Sequence, residues 1–181
     1  MRALRSLLAA VLYYPRMRSL LDAGNRLRDR GNYPEALAYY RKARALNPED
    51  PAPVIYEASA FNLMDRYAEA LRCCDEAERL HAKTRLLTFA YGGQTPLAAF
   101  LWEFRGIALS DTGRPEEAIS CYAKAIAISP GFALAWFNKA VAETRLGRVN
   151  DALSSVETAC EIDPTYERAK GLRQRLARNA P

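Results

Sequence analysis

The stretch Asp111–Pro130, DTGRPEEAISCYAKAIAISP, decides the fold, because the chain repeats it in altered form elsewhere. Arg30–Pro48 reads RGNYPEALAYYRKARALNP, and Trp136–Pro164 reads WFNKAVAETRLGRVNDALSSVETACEIDP. Each version has a turn residue, a polar start, alanines seven residues apart and a closing proline. Self-similarity of this kind is read before any single helix, since a missed period misassigns the whole fold.

Extended outward, the pattern forms four 34-residue blocks, 17–50, 51–84, 99–132 and 133–166, with 14 extra residues between the second and third. The turn residue falls at Gly31, Asp65, Gly113 and Gly147. Small residues recur at Gly24, Ala58, Gly106 and Ala140, and alanines at Ala36, Ala70, Ala118 and Ala152 and again at Ala43, Ala77, Ala125 and Ala159. Leu20, Val54, Trp102 and Trp136 form a large apolar column, Leu46, Leu80, Ile128 and Ile162 another, and Tyr40, Cys74, Tyr122 and Val156 a looser one. Apolar spacings of three and four predict two amphipathic helices per block. Small residues suit a close helix crossing. Gly31, Gly113 and Gly147 suit a left-handed exit from the first helix, with Asp65 a tolerable substitute. Pro48, Pro130 and Pro164 stop the second helix, and Ala82 stands where the fourth proline would be.

In these motifs the chain resembles the tetratricopeptide repeat family. The departures are Ala82 at the closing position and Pro115 and Val149 where a tyrosine usually follows the turn. The resemblance implies an all-α, right-handed α-solenoid of antiparallel helix pairs: an N-terminal amphipathic segment 1–16, repeats 1–2 at 17–84, an insertion at 85–98, repeats 3–4 at 99–166 and a capping helix at 167–181. In the cap, Ala169, Leu172 and Leu176 share one face and arginines the other. The insertion RLLTFAYGGQTPLA breaks at Gly92-Gly93, with Thr95 an expected N-cap and Pro96 the first helical residue. Leu86, Leu87, Phe89 and Tyr91 lengthen the preceding helix or form a loop on the stack.

Residues 1–14 place Met1, Leu4, Leu8, Val11 and Leu12 on one stripe, with Leu7 beside it. They admit three roles: a helix packed on the first repeat, a signal or membrane-surface segment, or an occupant of the chain's own groove. The apolar run Leu7–Tyr14 is too short to span a bilayer and no small-residue cleavage site follows, so secretion is not expected.

The formal charge is +5, but it sits at the ends. Residues 1–30 hold seven arginines against Asp22 and Asp29, and residues 167–181 hold five basic residues against Glu167, which leaves a mildly acidic middle. A phosphate-tracking groove needs basic residues along its length, so nucleic acid is not the expected partner. Cys73, Cys74, Cys121 and Cys160 have no metal-ligand spacing and His81 is the single histidine, which argues against a metal site. Inert reduced thiols and a cytoplasmic location are expected. No cofactor is expected. Glu116-Glu117, Asp75-Glu76 and Asp111 fall on solvent positions, and no nucleophile–base pair or phosphate loop is present, so the chain reads as non-catalytic.

The resemblance also places the concave face at positions 2, 5, 6 and 9 of each block. These are Arg18, Leu21, Asp22 and Asn25; Ala52, Ile55, Tyr56 and Ser59; Phe100, Glu103, Phe104 and Ile107; Leu134, Phe137, Asn138 and Val141. Some family members grip a terminal carboxylate with lysines, asparagines and an arginine. Here only Asn25 and Asn138 match, and Leu21, Tyr56, Phe100 and Phe104 occupy other clamp positions, so that mode is rejected. What remains is an apolar groove of Ile55, Tyr56, Phe100, Phe104, Ile107, Phe137 and Val141, with Glu103 and Asn138 as polar handles. It suits a peptide or amphipathic helix of a protein partner. The expected role is a protein–protein interaction scaffold or adaptor. The alternative is a membrane-peripheral assembly factor anchored by residues 1–14, and a second copy could also fill the groove.

Overall fold

The computed structural model describes residues 2–83 and 97–179, with side chains from 14 to 82 and from 97 to 178. Among the described residues there are nine helices and no strand. Two compact units divide them. The first holds α1 (Arg2–Asp29), α2 (Tyr33–Leu46), α3 (Pro51–Leu63) and α4 (Tyr67–Lys83). The second holds α5 (Leu97–Asp111), α6 (Pro115–Ile128), α7 (Ala133–Arg145), α8 (Val149–Ile162) and α9 (Glu167–Asn179). Within each unit consecutive helices pack on one another, and α1 touches α3 as α5 touches α7. Each unit is therefore a stretch of α-solenoid, two helix pairs deep, and the second is closed by α9.

The turn column is a set of four matching helix ends. Gly31, Gly113 and Gly147 lie at φ +82°, +79° and +70°, and Asp65 at +55°. At each, two backbone bonds close the helix: the residue after the turn donates to a carbonyl five residues back, and the turn residue to one three back. In the third repeat these are Arg114 to Leu109 and Gly113 to Ser110. Asp65 tolerates the left-handed region, which short polar side chains visit most readily after glycine, and its carboxylate accepts a 2.6 Å hydrogen bond from the Tyr67 hydroxyl.

The closing prolines act through the residue before them. Asn47 (φ −146°, ψ 91°), Ser129 (−137°, 86°) and Asp163 (−128°, 93°) are held extended, as the proline ring requires, and α2, α6 and α8 stop after 14 residues. With Ala82 in that place α4 continues to 17 residues.

The looser tyrosine column is explained by contact. A methyl at Gly106 would lie 2.5, 2.8 and 2.9 Å from the Cε1, Cδ1 and Cζ atoms of Tyr122, and one at Gly24 would collide with the Tyr40 ring. Both tyrosines are buried. Where the small residue is alanine, the residue at the tyrosine position is smaller, Cys74 after Ala58 and Val156 after Ala140, and all four are fully buried. The two positions thus vary inversely, a ring lying over a bare glycine and a smaller side chain over an alanine.

α1 is continuous from Arg2 to Asp29 and runs through Pro15, so residues 1–16 and the first helix of repeat 1 share one helix rather than meeting at a joint. The stripe Met1, Leu4, Leu7, Leu8, Val11 and Leu12 lies outside the described side chains. Thr95, Pro96 and the Gly92-Gly93 break lie outside the described residues. In α9, Ala169, Leu172 and Leu176 are buried against Phe137, Val156 and Cys160.

Candidate functional site

The face predicted from the repeat register is carried by α1 and α3 in the first unit and by α5 and α7 in the second. At 100° per residue, positions 2, 6 and 9 lie within a narrow arc, and position 5 lies on its edge, turned toward the paired helix. The structure resolves that edge: Leu21, Ile55 (1% exposed), Glu103 (0%) and Phe137 (5%) are all buried. Ile55, Glu103 and Phe137 therefore contribute no surface to the face. Phe137 packs against Tyr166, ring centroids 5.1 Å apart, under the Arg168 guanidinium.

Tyr56, Phe100, Phe104, Ile107, Asn138 and Val141 are half-buried. In the second unit, Phe100 and Phe104 stack one helical turn apart at 5.9 Å, and Phe100 meets Phe132 edge-on at 5.2 Å. Leu134, Asn138 and Val141 follow the same spacing on α7. The two helices are tied from below: the Asn138 amide donates to Glu103 Oε1 at 2.9 Å. Glu103 is thus the floor of this face and fixes the orientation of Asn138. Its buried charge, after burial itself, holds the Tyr122 hydroxyl far above the usual range. At the far end Arg145 donates to the Ser110 carbonyl and hydroxyl at 2.7 Å and to Asp111 at 2.9 Å.

In the first unit the corresponding face is polar. Tyr56 stacks on Tyr40 at 5.7 Å, the Tyr40 hydroxyl donates to Asn25 at 2.9 Å, and Arg28 reaches the Ser59 hydroxyl at 3.4 Å. Burial pushes the Tyr40 hydroxyl up to about 12.

One constellation resembles a catalytic arrangement and was not apparent from spacing. Lys139 Nζ donates to Ser155 Oγ at 2.9 Å and to Glu143 at 2.6 Å, and Ser155 donates to Glu143 at 2.7 Å. Ser155 and Glu143 are buried, so a substrate cannot reach the hydroxyl, and the lysine ammonium is taken up by contacts to both. The network is a satisfied polar tie between α7 and α8. Among the described residues no three metal-ligating side chains cluster, and no helix is long and apolar enough to cross a membrane.

Two tetratricopeptide repeat family models match the chain, over residues 18–50 and 105–167, together more than half of it. The chain is 26% identical over 124 residues to the peroxisomal targeting signal receptor of Kluyveromyces lactis, covering 68% of this chain and 19% of that protein. It is 29% identical over 161 residues to protein FlbA of Caulobacter vibrioides, covering 87% and 24%. The chain thus spans a quarter or less of these two relatives. Among solved structures, MamA superposes with a TM-score of 0.62 at 19% identity, covering 86% of this chain and 88% of that one. A chain of the APC/C hetero-tetramer Cut9–Hcn1 superposes at 0.73 and 18%, covering 87% and 29%. At such identities these superpositions speak for the fold, and with the repeat columns, the helix ends and the family matches they lead to one assignment. The chain belongs to the tetratricopeptide repeat family, whose members act as protein-interaction scaffolds.

Proposed function

We propose that this chain is a non-catalytic scaffold that holds a peptide or amphipathic helix of a partner protein on the first-helix face of its second unit. The observation that carries this is the half-buried row of Phe100, Phe104 and Ile107 on α5 beside Leu134 and Val141 on α7, with Asn138 held in place by buried Glu103. Side chains three, four and seven apart on neighbouring helices present an apolar strip that a helix or extended segment can match with a few anchors. Rigid, partly desolvated aromatics are the residue type that contributes most per side chain at such contacts. Tyr56 offers a lone aromatic on the more polar face of the first unit.

The test is a pull-down from the native host's lysate with wild-type protein and a Phe104→Ala/Ile107→Ala variant, after circular dichroism shows both folded. Partners held by wild type and lost by the variant support the assignment. Identical partner sets for both proteins refute it.

A further inference from the structure

Two features of α9 are not explained by its role as a cap. One is a glycine, Gly171, in the interior of a 13-residue helix. Glycine weakens a helix relative to alanine, and Gly24 and Gly106 repay that by admitting a tyrosine ring. At Gly171 an added Cβ would meet nothing within 4 Å, so no packing reason keeps the side chain absent. The other is charge. Arg168, Arg175 and Arg178 are exposed and, among the described residues, none is in an ion pair. The single carboxylate of the helix, Glu167, is taken by Lys170 at 2.7 Å.

These features coincide on one flank. At 100° per residue, Arg168, Gly171, Arg175 and Arg178 fall within an arc of about 80° and along about 15 Å of helix. Arg168 is steadied at one end by the Phe137 ring, 5.0 Å from its guanidinium carbon, and Gly171 leaves bare backbone between it and the other two.

We propose that this flank docks an acidic peptide segment of a partner, with the segment's backbone brought close to α9 at Gly171 and its carboxylates held by the three guanidinium groups. Guanidinium forks pair with carboxylates through two parallel hydrogen bonds. The notch favours a peptide, because a backbone closing on bare helix needs a missing side chain and a phosphate reached by a long arginine does not. The stripe is also short for a polyanion, and Glu161, Asp163 and Glu167 bound it at the start of α9. A membrane is disfavoured because Ala177 is the one exposed apolar residue of the helix, leaving nothing to insert.

The test uses the full chain and a fluorescein-labelled twelve-residue peptide with glutamates three and four apart, read by anisotropy at low and moderate salt. Arg175→Gln/Arg178→Gln is expected to weaken binding about tenfold or more. Arg16→Gln/Arg26→Gln, which removes the same charge from α1, is expected to change it less than about twofold. Gly171→Leu leaves all arginines in place and is expected to weaken binding by about tenfold, with unchanged circular dichroism. Equal losses from the two arginine pairs, or full binding by Gly171→Leu, overturn the proposal. So does tighter binding of a single-stranded oligonucleotide or of phosphatidylserine vesicles than of the peptide. A low-salt dimer in sedimentation velocity, abolished by Arg175→Gln/Arg178→Gln, would assign the stripe to a second copy of the chain instead.

Discussion

Gly106→Ala adds one methyl group, and the structure says where it goes: 2.5 Å from Tyr122 Cε1, with two more ring carbons within 2.9 Å. Carbon atoms in contact prefer about 3.5–4.0 Å, so the ring or α5 must move by about 1 Å. Tyr122 is buried, 2% exposed, and side chains in protein interiors are close-packed, so the ring cannot swing aside without disturbing its neighbours. Overpacking of this kind costs about 1–3 kcal/mol, and three ring atoms in collision place it in the upper half of that range. Against it, alanine gains about 1 kcal/mol over glycine in a helix. The expected net loss is about 1–2 kcal/mol, and Gly106→Trp should lose a few kcal/mol more. The same substitution at Gly171, where nothing lies within 4 Å, should gain about 1 kcal/mol. The decisive comparison is a double-mutant cycle with Tyr122→Val, which rebuilds in repeat 3 the Ala140–Val156 pairing of repeat 4. Tyr122→Val alone opens a cavity and destabilises, but in that background Gly106→Ala should turn from harmful to favourable, a coupling of about 2–3 kcal/mol. Urea unfolding followed by far-UV circular dichroism measures all four corners. If Gly106→Ala has the same effect with and without the Tyr122 ring, the crossing does not work by volume compensation.

Gly113→Ala should cost about 1 kcal/mol, because φ +79° strains any side chain, while Asp65→Gly should be neutral to mildly stabilising; thermal melts of the two variants decide. Burial, the largest cause, raises the carboxyl of Glu57 above its ordinary 4.5 despite Arg44 and Arg41 nearby. The folded chain therefore holds that proton more tightly than the unfolded chain, and the contribution, complete below about pH 4.5, declines as pH rises through the folded value. Glu57→Gln should flatten this decline and be more stable than wild type at neutral pH than at pH 4, measured as melting temperature against pH. All four cysteines are free and buried, and burial pushes the Cys73 thiol up to about 12; Ellman's reagent should titrate them only after denaturant is added, and fast reaction of the native protein would contradict the packing.

Much of the fold was legible because its determinants are local. A left-handed helix exit needs glycine or a short polar residue, a proline forces extension on its neighbour, and both leave one-residue marks at a fixed period. The face was less legible. Position 5 of each block is apolar in three repeats and Glu103 in the third, and a helical wheel places it on the edge between surface and interior, where periodicity gives no sign. Only packing decides that Phe137 goes under Tyr166 while Phe104 stays half-exposed. The Lys139–Ser155–Glu143 tie escaped for a different reason: its members come from two helices and follow no motif.

By itself the sequence determined the number of repeats, the helix ends marked by a turn residue or a closing proline, and the small residues at each crossing, since turn stereochemistry and amphipathic spacing act within a few residues. Tertiary structure decided which partner fills the space each small residue leaves, which groove positions are core, and that Asn138 is oriented by a carboxylate 35 residues away. Those outcomes depend on contacts between helices, and a side chain's cost or benefit there is set by the volume and polarity of what it meets.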